Sequence, residues 1–126
     1  MLTEEILARS VQLVREHFDA INRGDAAEVQ AQLFQPPGMS SRPLEVYVTE
    51  LLGLRPFVLE RAELVATEEP KETERGRLGR VRVAITVSSP VIGTRSEVVP
   101  VWWFPDTDEV RIAVRFSNWL VAPRPA

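Results

Sequence analysis

The first quarter of the chain carries a helical rhythm. Leu7, Val11, Val14, Phe18 and Ile21 recur at steps of three and four, and Ile6 and Leu13 widen this stripe on one flank. The spacing predicts an amphipathic helix over residues 4–23. Thr3 is placed to cap its start, Glu4 and Glu5 suit the positive end of its dipole, and Gly24 suits the left-handed residue that ends it. Asp25-Ala26-Ala27-Glu28 has the spacing of a capping box and opens a second helix. Val29, Leu33 and Phe34 form its apolar side, and Pro36-Pro37-Gly38 stops it. Pro43 opens a third helix, Leu44 to Leu52, closed by Gly53; Val46, Val48 and Thr49 leave a strand as the alternative there.

From Phe57 the period changes to two. Segments 57–67, 78–88, 94–104 and 109–119 alternate, or are rich in Val, Ile, Thr and aromatic residues, as strands are. The charged, proline-interrupted stretch Glu68 to Gly76 reads as a solvated hairpin loop. Ser89-Pro90 with Gly93, and then Pro105 to Asp108, mark the next two turns. Pro100 removes a ladder donor, which implies an edge position or a bulge, and a bulge bends a sheet. The expected fold class is α+β: N-terminal helices on a curved antiparallel sheet, with a pocket between its concave face and the first helix. No repeat or linker divides the chain, so residues 1–126 are expected to form one domain.

Composition narrows the chemistry. The chain has no cysteine, which excludes disulfides, thiolate nucleophiles and Cys-ligated metals. With one histidine and no calcium-loop spacing, no metal site is expected. A net charge of −3 with interspersed signs gives no basic footprint for nucleic acid. The apolar runs are too short for a membrane span, and the N-terminus begins with acids where a signal peptide is basic, so the expected location is the cytoplasm.

One pattern extends over nearly the whole chain. Phe18-Asp19-Ala20-Ile21-Asn22-Arg23-Gly24-Asp25 closes the first helix, and a short second helix ends in Leu33-Phe34. The helix Pro43–Leu52 and long strands follow, then Trp103-Phe104-Pro105, Val110-Arg111-Ile112 and Ser117-Asn118-Trp119. In this order and spacing the chain resembles the SnoaL-like branch of the nuclear transport factor 2-like superfamily. The resemblance implies a cystatin-like cone with an internal cavity, and often a homodimer through the outer face of the sheet. It implies no single activity, because the superfamily contains several kinds of enzyme and non-catalytic modules.

The ketosteroid isomerases of that superfamily need a carboxylate base, a tyrosine and a neutral carboxylic acid. The corresponding positions here fall on Gln35–Arg42, which holds no acid, on His17, and near Pro100. All three roles are missing or replaced. Dehydratases of the fold use more than one histidine, and the Asp-Arg-Asp relay of epoxide-opening members cannot be assigned to Arg111 and Arg115 from sequence.

Seven residues remain as candidates. His17, within the apolar arc of helix one, reads either as an acid–base group facing a pocket or as a satisfied histidine at the core's edge. On the last strand Val110, Ile112, Val114 and Phe116 share one face, and Arg111, Ala113, Arg115, Ser117 and Trp119 the other. Composition makes the first face core; the resemblance turns Trp119, Arg111 and Arg115 inward, with Glu60, Glu63 and Glu97 as available partners. Asn118 joins the expected lining. Trp102 and Trp103 must point to opposite faces, one to core or pocket and one outward as a dimer anchor. Tyr47 reads as a pocket-mouth residue or as a half-buried side chain. The leading expectation is a small organic ligand, with a carboxylate group suited to the arginines, bound in the cone without cofactor or metal. The alternative is a non-catalytic dimerisation or interaction module whose interior is packed.

Overall fold

The computed structural model describes residues 1–35, 43–74 and 76–114. Helix α1 spans Glu4–Arg23, α2 Ala26–Ala31 and α3 Leu44–Leu52. The strands are β1 Leu33–Phe34, β2 Val58–Thr73, β3 Gly76–Ser89, β4 Gly93–Phe104 and β5 Glu109–Ala113. The caps of α1 form as their residues dictate. The Thr3 hydroxyl accepts from the Ile6 amide, and Gly24 takes a left-handed conformation with φ 72°. At α2 half of the expected box forms. The Asp25 carboxylate accepts the Glu28 amide, whereas the Glu28 carboxylate turns to the Gln32 side chain.

Two sequence expectations give way locally. Leu33 and Phe34 do not extend α2; they form β1, which runs parallel to β5 in the register Leu33 to Ile112. The sheet is therefore mixed, not antiparallel. The stretch expected as a charged loop is strand instead, because cross-strand partners stabilise it: Arg80 with Glu68, and Arg77 with Glu72. Pro70 sits where the β2–β3 register shifts, so its missing donor costs no ladder bond.

The strand order is β1-β5-β4-β3-β2, which leaves β1 and β2 as free edges, and the sheet is neither closed nor curled. This overturns the cone. The bend inferred from Pro100 does not arise there: β3 and β4 keep a continuous register through Arg82 and Pro100, and among the described residues the β4–β5 pairing ends at Val101. The proline lies on a locally unpaired side of β4, where it needs no bulge. The register shifts fall on β2, at the outer edge. An open sheet contradicts the resemblance to the SnoaL-like and nuclear transport factor 2-like proteins, and with it the cystatin-like fold class.

One face of the sheet carries the core. Val81, Val83, Ile85 and Val87 of β3, Val99, Val101 and Trp103 of β4, and Ile112 beside β1 pack with Val14, Phe18 and Ile21 of α1. From Val81 to Val87 and at Val99 these residues alternate with less buried neighbours, the period-two pattern of a sheet covered on one side, whereas Trp102 and Ala113 are buried on the opposite face. Two polar clamps fix α1 to the sheet. The Asn22 amide donates to the Phe57 carbonyl at 2.8 Å and its oxygen accepts the Phe57 amide at 2.7 Å. Arg9 donates to the Asp108 carboxylate and carbonyl, and the Trp103 indole donates to the same carboxylate. Among the described residues no helix is long and apolar enough to cross a membrane.

Candidate functional site

The single histidine is wholly buried in α1. Its Nδ1 lies 2.9 Å from Gln32 Oε1, and Gln32 Nε2 donates to Glu28 Oε1 at 3.3 Å. With the amide nitrogen committed to Glu28, the Gln32 oxygen faces the ring, so the proton sits on His17 Nδ1. Nε2 then presents a lone pair with no hydrogen-bond partner among the described residues. Burial pushes the imidazole pKa down to about 4, and the bond to Gln32 raises it only in part. His17 is thus a neutral hydrogen-bond acceptor held in one tautomer. So low a basicity is poorly matched to proton abstraction near neutral pH. Gln32 was not legible as its partner, because it stands at the end of α2 and is brought to α1 only by tertiary packing.

Tyr47 of α3 is also buried, and its hydroxyl has no hydrogen-bond partner among the described residues. Burial pushes the phenol above its ordinary pKa, so it stays protonated. It is a core residue, packed in the same cluster as Phe18 and Leu51.

Trp102 and Arg111 lie across the sheet from these two. They are cross-strand partners on the face opposite the main core. There Trp102 packs with Leu78, Ala113, Phe34 and Phe104 in a second, smaller cluster. Its indole N–H is buried with no acceptor among the described residues. Trp102 and Trp103 do point to opposite faces, but the outward ring is covered by its own chain. Arg111 bonds to Glu109, with Nη2 2.7 Å from Oε2, and not to Glu60, Glu63 or Glu97. It also borders an open groove at the β1 edge with Ala27, Gln30, Ala31, Leu33 and Leu44.

The face assignment on β5 follows composition. Ile112 and Val114 are buried in the main core and Arg111 is not. The inward turn of Arg111 implied by the resemblance is overturned. Arg115, Asn118 and Trp119 lie outside the described residues. The four described candidates therefore fall on two sides of the sheet and do not converge. The expected ligand pocket in a cone is corrected accordingly: the sheet does not curl around a hollow, and the residues between α1 and the sheet are joined in one packed core. Among the described residues no group of three or more His, Asp and Glu side chains is placed to hold a metal ion.

What does converge is the centre of the uncovered face. Ala84 pairs with Val98 and Glu63, Arg82 with Pro100 and Ala66, and Arg80 with Trp102 and Glu68. Directly opposed residues share a face, so Ala84 lies between Glu63 and Val98 and the exposed Arg82 between Ala66 and Pro100, small apolar side chains interleaved with both signs of charge. Val98 is 50% exposed. Glu68 is held below the usual carboxylate range first by its bond to Lys71, and Arg80 adds to this. No family model matches the chain, and no curated protein and no solved structure matches it.

Proposed function

We propose that the chain is a non-catalytic association module that pairs with a second copy of itself through the uncovered face of its sheet. The observation that carries this reading is Val98, half exposed among the short side chains of Ala66, Ala84 and Pro100, where Arg82 is the one long side chain set between them and a second sheet can pack at roughly 10 Å with that guanidinium turned aside. A face bearing both acids and arginines meets a copy of itself without like-charge conflict throughout, as an isologous contact requires. The packed core on the other face supports the same reading, since it gives the fold no need of a ligand.

Sedimentation velocity from about 1 to 100 µM provides the test, a range that brackets ordinary dimer affinities. The expected result is a mass approaching twice 14.2 kDa. Val98→Arg should return it to one chain with an unchanged circular dichroism spectrum. Val91→Arg, at a turn valine that is 62% exposed, should leave association intact. A wild-type chain that remains monomeric throughout, or a Val98→Arg variant that still pairs, removes the proposal.

A further inference from the structure

Beside the short side chains of the outer face, β2 and β3 leave a cleft of about 270 Å³ lined by Ala66, Thr67, Glu68, Arg80 and Arg82. We propose that this cleft is a seat for a compact oxyanion, a carboxylate or a phosphate, gripped by the Arg80 and Arg82 guanidinium groups.

The two arginines alternate along β3, so both side chains rise from the same face roughly 7 Å apart. Their charge is only partly neutralised. The Arg82 side chain has no hydrogen-bond or ion-pair partner among the described residues. Arg80 reaches Glu68 only at 3.5 Å, while Lys71 holds the same carboxylate oxygen at 2.6 Å. Glu68 is thereby shared between Lys71 and Arg80, and the cleft keeps a surplus of positive charge. Arg80 is also oriented: its Cζ lies 5.5 Å from the centre of the Trp102 ring, which holds the planar fork over the aromatic face. Two forks with donors still available suit the paired oxygens of a carboxylate or phosphate.

The seat is built by one chain, so it stands apart from self-association, but the two can meet. The oxyanion is either free in solution or an acidic side chain of a second copy, and one titration distinguishes these sources. Wild-type, Val98→Arg and Arg82→Gln proteins are titrated calorimetrically with inorganic phosphate and with acetate, against sodium chloride at matched ionic strength. Arg82 is exposed, so Arg82→Gln should keep the wild-type circular dichroism spectrum.

The expected result is saturable binding in Val98→Arg, half-complete at about 1 mM and at least about tenfold weaker in Arg82→Gln. Saturation in wild type as well assigns the seat to a free anion. Saturation in Val98→Arg alone assigns it to a carboxylate that a paired copy already supplies. Heats that match the chloride control in Val98→Arg, or binding unchanged in Arg82→Gln, overturn the seat. A wild type that is monomeric removes the association proposal and leaves this titration readable.

Discussion

The two faces of the sheet are built from the same strands and obey the same alternation, yet they solve opposite problems. The inner face places Val81, Val83, Ile85, Val87, Val99 and Val101 against α1, all at 2% exposure or less. The outer face places Ala84, Thr86, Val98 and Pro100 in the alternate positions, where no comparable burial follows. The inner face is a commitment made within the chain; on the outer face Val98 is left half exposed. The difference lies in side-chain size as well as exposure. Large branched residues fill the gap to a helix, whereas the outer face interleaves short side chains with Arg80 and Arg82. Only beside Trp102, under Phe34 and Phe104, does the outer face build a cluster of its own.

The strongest probe of the inner side is acid. His17 is neutral when folded because burial holds its pKa near 4, against 6.5 when exposed. The folded state binds the proton less readily than the unfolded chain, so protonation favours unfolding. Stability from this group is full above pH 6.5 and falls as pH drops towards 4. The span of the shift corresponds to about 3 kcal/mol. Urea unfolding at pH 7 and pH 4.5 should show a loss of this order, and His17→Gln should remove most of the difference. Glu68 and Asp108, both held below their ordinary range, add smaller losses at still lower pH. If His17→Gln loses as much stability on acidification as wild type, the imidazole is not the neutral core group described.

Two valines test the comparison with the same chemical change. Val83 is fully buried and Val98 is half exposed, on neighbouring strands. Val83→Ala should cost about 2 kcal/mol, the loss of two buried carbons and the cavity left behind. Val98→Ala should change the stability of the isolated chain by less than about 0.5 kcal/mol. Equal costs, measured at a concentration where only monomer is present, would mean that the outer face is covered within the chain.

How far these arrangements were legible depended on whether their cause is local. Helix α1 follows from a stripe that repeats five times along one segment, and its caps are local chemistry, so both were readable. The opposite directions of Trp102 and Trp103 follow from strand alternation and were readable too. β1 was not. Two residues cannot display a period, and Leu33-Phe34 is a strand only because β5 arrives beside it. The strand character of Glu68 to Thr73 was hidden for a related reason: its charges look solvated until Arg80 and Arg77 stand across from them. The cone was misread through Pro100, whose tolerance comes from an unpaired strand side and not from a bend. The site was misread with it, since that curvature alone would have brought His17 and Arg111 around one hollow.

The finest contrast lies between the adjacent tryptophans, one on each face. The Trp103 indole donates to Asp108 at 3.2 Å, whereas the Trp102 indole is buried without an acceptor among the described residues. Phenylalanine leaves a similar small cavity at either position. At Trp103 it also removes a hydrogen bond to a carboxylate, worth about 1.5 kcal/mol or more. At Trp102 it relieves a buried donor that has no partner, which offsets part of the cavity cost, and it weakens the contact with Arg80. Chemical unfolding of both variants should therefore show Trp103→Phe as the more damaging by about 1 kcal/mol. If Trp102→Phe is the more damaging, its N–H is satisfied in solution. An acceptor then reaches the outer face, and the two faces are less different than their burial makes them.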